Sequence, residues 1–395
     1  MLDMKRKFTL ALAGVIGAVS LGGLCACDNG TAVKSYSQTY YAMGTYATLT
    51  VSKKGFSQAK FDELHNEVEK FLTEAENSLS ASVTGSCIYE FNGAYAGEKI
   101  EIDKTTYEVL GEALSLCDFT GGKFNPAVWH NANAYHLAVQ EDDGEQFKYV
   151  KEGYALPDEK YIEAFNELSA QFYEFTYLDE SEGKYYVTKP PRLVTVEGDA
   201  TRYGTRIDLG GIAKGWCADR VNEMMTAAGV RYGYFNFGRS SIAIKKYAGV
   251  WGGVYVVGGR DPRSAAGDEF FSIKAKDTML STSGDYEKYY ELDGVRYCHL
   301  IDPSTGKPIQ TGVASVTVIG EGCARTDALT TALSAMDKQS AVNFINGKLT
   351  GYKVIMLYLE DGAGKVITNC PEDIKITNPD YTVINTVADG KIVLN

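Results

Sequence analysis

The sequence predicts an α+β fold, a single large mixed α/β domain, and three observations carry that expectation. The 395 residues are 45% hydrophobic and 23% charged, enough for a large core and without the bias of a disordered or fibrous chain. Strand-like alternation and helical three- and four-residue spacing both recur along the chain. No internal repeat and no Pro- or Ser-rich linker divides the part beyond the N-terminus, so one domain is expected, with two lobes and a cleft between them as a variant. The formal net charge of -12, from 39 Lys+Arg against 51 Asp+Glu, would repel a polyphosphate backbone, and no basic stripe offsets it. Nucleic acid is therefore not an expected partner, and an anionic ligand has to be held locally.

The first elements concern location. Lys5, Arg6 and Lys7 precede the apolar stretch FTLALAGVIGAVSLGGL (8–24), a charged n-region before an h-region slightly short and Gly/Ala-rich for a membrane span. In LCACDNG, Leu24 and Ala26 stand where a lipobox ending at Cys27 needs them. Residues 1–27 thus read as a lipoprotein signal peptide with Cys27 lipidated, which places the protein on the extracytoplasmic face of the cell membrane through a lipid anchor. An uncleaved anchor, or Cys25 as the modified residue, is the alternative. DNGTAVKSYSQ (28–38) is polar and aperiodic and reads as a tether, leaving 39–395 as the folded domain. The cysteines at 87, 117, 217, 298, 323 and 370 show no CxxC pair or metal-ligand spacing and read as buried thiols.

Within the domain, YYAMGTYATLTV (40–51) has the aromatic and β-branched content of a strand, with Gly44 in its interior marking a bulge or close approach. Phe61, Leu64, Val68, Phe71, Ala75 and Leu79 give one apolar helix face over 57–79. A second helix, 105–118, leads into the Gly-rich turn FTGGKFNPAV. The charged turns QEDDGEQ and DESEGK flank a helix at YIEAFNELSAQF.

Three later segments bear chemistry. In TRIDLGGIAKGWCADRVNEMMTAAG (205–229) a short strand meets Gly210-Gly211, and Ile212, Trp216, Val221, Met224 and Met225 then form an amphipathic helix ending at Gly229. Glycines before a helix N-terminus suit a phosphate, but the segment matches neither a P-loop nor G-x-G-x-x-G, and a plain connection is the commoner use of such a turn. In RTDALTTALSAM (325–336), Asp327 and Thr331 project hard oxygen ligands from one helix face, as Mg²⁺ requires. The alternative is that Thr326 caps the helix, Asp327 favours its first turn, and Thr331 bonds its own backbone. KYYELDGVRYCHLID forms a hairpin turning at Asp293-Gly294, with Val295, Tyr297, His299 and Ile301 on one face of its second strand and STSGD (281–285) closing another strand upstream. A lone strand histidine is more often structural, but polar turns on both sides of this one favour a site at a sheet end.

MGT (43–45), FNPAV (124–128), IDLGGIAKG (207–215), STSGDY (281–286), YCHLIDPSTGKP (297–308) and DALTTAL (327–333) occur in the order and rough spacing of the ApbE-type FAD:protein FMN transferases. Over about residues 40 to 340 the chain resembles that family. The resemblance implies an ApbE-like fold and Mg²⁺-dependent transfer of FMN from FAD to a Thr or Ser hydroxyl of an exported or membrane redox protein, with release of AMP. It implies Asp327, Thr331 and the backbone carbonyl of Ala213 as metal ligands. Met43, Lys123, Phe124, Asn125, Gly210, Trp216 and Ile301 would line the FAD site, and His299 would be the catalytic general base, with orientation of the Asp302 turn as its alternative role. An FAD pyrophosphatase, or a surface lipoprotein that only binds flavin, would share most of these residues. Three positions depart from the family pattern: Asn125 stands for a common Asp, NFGRSSIAI (236–244) lacks the second Gly and the acidic residue of a GGD/GGN turn, and SLSAS (78–82) lacks an aromatic.

Overall fold

The computed structural model describes residues 33–137, 155–249, 253–360 and 363–394. The signal peptide, Cys27 and the QEDDGEQ turn lie outside the described residues. A nine-stranded sheet organises the rest. Its strands lie side by side in chain order: Ser35–Ala42, Thr45–Ser52, Gly233–Phe237, Ser241–Ile244, Thr278–Gly284, Val313–Gly320, Lys353–Glu360, Ala363–Thr368 and Tyr381–Val383. Every neighbouring pair is antiparallel except the last.

The central strands are buried on both faces, which is why Lys353–Glu360 reads VIMLYL without polar alternation. Val354, Met356 and Tyr358 enter the larger core, shared with the helices Gln58–Leu79, Lys104–Phe119, Ala213–Ala227 and Cys323–Ser334. Ile355 and Leu357 enter a second core on the opposite face, beneath the three-stranded sheet of Tyr255–Arg260, Glu269–Ala275 and Ile374–Ile376. Small satellite clusters, such as Tyr135, Leu137, Ile162, Tyr290 and Ile301, bind the 289–302 region to the helices near residue 130 and at Glu159–Ala170. The fold is a single mixed α/β domain as expected.

The helices expected over 57–79, 105–118 and at YIEAFNELSAQF form at Gln58–Leu79, Lys104–Phe119 and Glu159–Ala170. Three expectations are corrected. The stretch 40–51 is a hairpin, not one strand, because Met43 and Gly44 both adopt left-handed backbone (φ 50 and 69) and close a two-residue turn. Strand structure begins at Ser35, inside the segment read as tether. Residues 205–209 are not a strand; the strand is Arg202–Gly204, and the following chain hangs on side chains, with Asn92 amide groups bonding both Ile207 N–H (2.8 Å) and Ile207 C=O (2.9 Å). The six cysteines in the described residues are free, five of them buried and Cys87 half-buried. Among the described residues no helix is long and apolar enough to cross a membrane.

Candidate functional site

The site begins where two core helices cross. Ala213–Ala227 and Cys323–Ser334 approach so closely at Gly215 that a Cβ there would stand 2.3 Å from the Cys323 carbonyl oxygen and 2.8 Å from Ala324 Cα. No other residue fits without moving one helix. The approach sets the Gly215 N–H 3.2 Å from Asp327 Oδ2 and Lys214 Nζ 4.0 Å from the same oxygen. One turn on, Thr331 Oγ1 donates weakly to the Asp327 carbonyl at 3.4 Å. A Cβ on Gly211 would meet Thr331 Oγ1 at 3.2 Å and the Phe124 ring at 3.4 Å, so the glycine turn, the hydroxyl and the FNPAV segment converge.

This geometry removes the capping alternative for Asp327. The helix starts at Cys323 with Gly322 as its N-cap, so Asp327 lies beyond the first turn, buried at 3% exposure. Thr326 turns to Ser281, oxygen to oxygen at 2.9 Å. Capping is supplied from the neighbouring helix by Asp219, whose two carboxylate oxygens accept the N–H groups of Cys323 (2.6 Å) and Ala324 (2.8 Å). Thr331 does bond its own backbone, as the helix alternative requires. Burial pushes the Asp327 pKa up, against the pull of Lys214 and the Gly215 N–H. A buried carboxylate whose pKa burial raises is receptive to a cation. With the Thr331 hydroxyl one turn on, it offers hard oxygen donors of the type that Mg²⁺ takes. Among the described residues no group of three or more His, Cys, Asp or Glu forms a self-sufficient metal cage.

His299 lies just past the hairpin Tyr289–Leu292/Val295–Cys298, which turns at Asp293-Gly294 (φ 51 and 78) as expected. Its N–H donates to the Lys288 carbonyl at 2.9 Å. The residue is half-buried, and its Nδ1 is enclosed without a hydrogen-bond partner among the described residues. Burial first, then the charges of Lys288 and Lys214, push its pKa down to about 3, only partly offset by a hydrogen bond to the Lys288 backbone. The imidazole is neutral at pH 7. Beside it Glu287 keeps contact with water, yet the protein around it raises its pKa against the pull of Arg260, Lys214, Arg239 and Lys288. Four cations thus gather at one place in a chain of net charge -12.

The remaining expected residues divide. Lys123 Nζ donates to Asp302 Oδ1 (3.0 Å) and Ser304 Oγ (2.9 Å), tying the FNPAV turn to the turn after His299. Gly210 takes part in a local loop, its N–H donating to Asp208 Oδ1 at 2.8 Å. Met43 is held by the Glu76 carboxylate, which accepts its N–H at 2.9 Å; a methionine at φ 50 carries strain of about 1–3 kcal/mol. The turn at Met43 abuts the site, since a Cβ on Gly238 would touch Thr45 Cγ2 (3.1 Å) and Lys214 Cδ (3.5 Å). Asn125 is buried with both ends of its amide engaged, Oδ1 accepting from Ala127 N–H (2.9 Å) and Nδ2 donating to the Ser169 carbonyl (2.8 Å). Trp216 packs in the core against Phe71, and Ile301 fills a satellite cluster. These three side chains make structural contacts. Nothing in the sequence spacing of Lys214, Lys288, Glu287, Asp219 and Glu76 says what they face, and only the fold brings them to the site.

Arg239 explains one departure from the family pattern. It occupies the position of the missing second glycine and takes φ 59, a conformation glycine adopts freely.

The chain is similar to proteins of one family. It is 27% identical to the FAD:protein FMN transferase of Treponema pallidum, over 83% of this chain and 86% of that one. It is 29% identical to the enzyme of that name from Vibrio cholerae, over 75% and 79%. The crystal structure of the ApbE protein of Thermotoga maritima superposes with a TM-score of 0.65 at 26% identity, covering 82% of this chain and 94% of that one. The ApbE family model matches residues 43–356, a span that runs from the strained Met43 turn past Asp327 and Thr331, and this chain therefore belongs to the ApbE family.

Proposed function

We propose that this ApbE-family protein transfers FMN from FAD to a Thr or Ser hydroxyl of an exported or membrane redox protein, releasing AMP. The observation that carries the reading is the position of Lys214. It stands 4.0 Å from the buried Asp327 carboxylate and close enough to His299 to depress its pKa, so one cation links the cation-receptive pair to the neutral imidazole. An FAD diphosphate placed between them would find Lys214, Lys288 and the Gly211 turn on its path. Asp327, Thr331 and the Ala213 carbonyl would hold Mg²⁺, which when bound neutralises charge on the diphosphate oxygens. A pKa of about 3 makes His299 a weak base in the empty protein. The anionic diphosphate would offset the two lysines and raise its basicity as substrate arrives. His299 then takes the proton of the acceptor hydroxyl, whose oxygen attacks the FMN-side phosphorus. AMP leaves with the bridging oxygen, and a phosphoester joins FMN to the acceptor. The lipid anchor at Cys27 would hold the enzyme on the membrane face where such acceptors reside.

The test is incubation of the purified protein with FAD and Mg²⁺, with and without membrane proteins from a strain lacking the enzyme. AMP release that depends on those proteins, with FMN found on a Thr or Ser by mass spectrometry, is the expected result. Equal release of free FMN and AMP without them would make the protein an FAD pyrophosphatase, and FAD binding without AMP in either condition would reduce it to a flavin-binding lipoprotein.

A further inference from the structure

The two edges of the nine-stranded sheet are finished differently. One is Tyr381–Val383, three residues long, short as protected edges usually are. The other is Ser35–Ala42, eight residues in unbroken register with Thr45–Ser52. Its sequence, SYSQTYYA, has no charge and no proline in a chain that is 23% charged. Charge, proline and bulge, devices that keep a strand edge from pairing, are absent from the strand itself.

The turn fixes which backbone groups are free. With a two-residue loop at Met43 and Gly44, Ala42 and Thr45 form the hydrogen-bonded closing pair, and alternation then aims the N–H and C=O groups of Ser37, Thr39 and Tyr41 off the outer edge. The same parity turns the Tyr46 carbonyl out of the hairpin, where it accepts from Gly238 N–H at 2.9 Å. Among the described residues no strand covers the outer side of Ser35–Ala42. Its solvent face ends in Tyr41 and Tyr46, 67% and 64% exposed, with rings edge to face and centroids 5.3 Å apart. This is the end of the hairpin that abuts the candidate site, through Thr45, Gly238 and Lys214.

We propose that the acceptor protein docks as an added strand on Ser35–Ala42, with Tyr41 and Tyr46 as its anchoring contacts and its target hydroxyl delivered at the turn end toward His299. The proposal rests on the transferase reading above. An enzyme that serves a hydroxyl on a protein has to hold that chain extended beside the reacting phosphate, and main-chain pairing does so with little demand on side chains. Exposed tyrosines add large, stiff contact surfaces. The continuity of the edge with the site, through Thr45, Gly238 and Lys214, selects the acceptor as occupant.

Two variants test it. Thr39→Pro removes an outward N–H at an edge position where proline is tolerated, and Tyr41→Lys places a charge beside the site end of the edge. Four readings are taken on the full-length protein: FAD affinity, AMP release without acceptor, flavin fluorescence on membrane proteins of a strain lacking the enzyme, and sedimentation. Both variants are expected to keep the parent's FAD affinity and its low background of AMP release without acceptor, and to label membrane proteins about tenfold less than the parent. Equal labelling by parent and variants overturns the docking proposal alone, and so does a joint loss of labelling and FAD affinity in Tyr41→Lys. A parent that sediments as a dimer which Thr39→Pro splits would make the edge a subunit interface and overturn it as well. A parent that releases AMP but labels no protein overturns the transferase reading and this proposal with it.

Discussion

The two halves of the candidate site are held by different forces. Asp327 and Thr331 ride on a helix whose residues are nearly all buried, locked to its neighbour at Gly215 and to the sheet by hydroxyl pairs, Ser281 with Thr326 (2.9 Å) and Ser283 with Thr330 (2.8 Å). His299 follows a two-stranded hairpin with two small apolar clusters for support. Much of what fixes it is charge: Arg263 to Asp285 through paired bonds of 2.8 and 2.6 Å, Arg296 to Glu291 at 2.9 Å, and Lys123 to Asp302 at 3.0 Å. Close packing tolerates no displacement, while partly exposed ion pairs are individually weak. The cation-receptive half is therefore rigid and the base half compliant. That division suits a site whose metal pair has to be ready before substrate and whose histidine has to respond to it.

The largest effect expected is on chemistry, and it separates the halves. His299→Ala should lower FMN transfer by about a hundred- to ten-thousand-fold while FAD affinity stays near that of the parent. Asp327→Ala should act on binding as well: calorimetric titration of FAD is expected to show tighter binding with Mg²⁺ in the parent and no Mg²⁺ dependence in the variant. Normal transfer by His299→Ala would remove the general base, and equal FAD affinity with and without Mg²⁺ in the parent would remove the metal pair.

The next effect is on stability of the rigid half. Gly215→Ala forces a methyl group into the Cys323–Ala324 backbone and should cost about 1–3 kcal/mol, read as a lower midpoint in urea unfolding. A midpoint equal to the parent's would mean that the helices part easily. The smallest effect belongs to the compliant half. Arg263→Gln breaks the Asp285 pair, whose side chains are 36% and 14% exposed, and should cost about 1 kcal/mol or less. A loss exceeding that of Gly215→Ala would invert the comparison.

Much of this was legible in the chain. The helices at Gln58–Leu79 and Lys104–Phe119 follow from apolar spacing, and the His299 hairpin from Asp293-Gly294 between alternating strands. The Met43 hairpin was missed because its turn has methionine where asparagine or glycine would announce left-handed backbone, and the restraint that holds it, Glu76, is 33 residues away. For Asn125, Trp216 and Ile301 the motifs name the segment, while the partners they pack against, Ser169, Phe71 and the cluster of Tyr135 and Ile162, come from distant parts of the chain.

What the sequence determined by itself was everything that depends on neighbours a few residues apart: the periodicities, the hairpin turn, the i, i+4 spacing that sets Asp327 and Thr331 on one helix face, and the motif order that marks the family. Tertiary structure alone decided what those residues meet. Lys214 stands 4.0 Å from Asp327 and its charge is felt at His299, Asp219 caps a helix whose first residue is 104 positions away, and burial together with two lysines lowers the His299 pKa. Charge interaction and desolvation depend on distance and surroundings in space, and the fold sets both by bringing distant segments together.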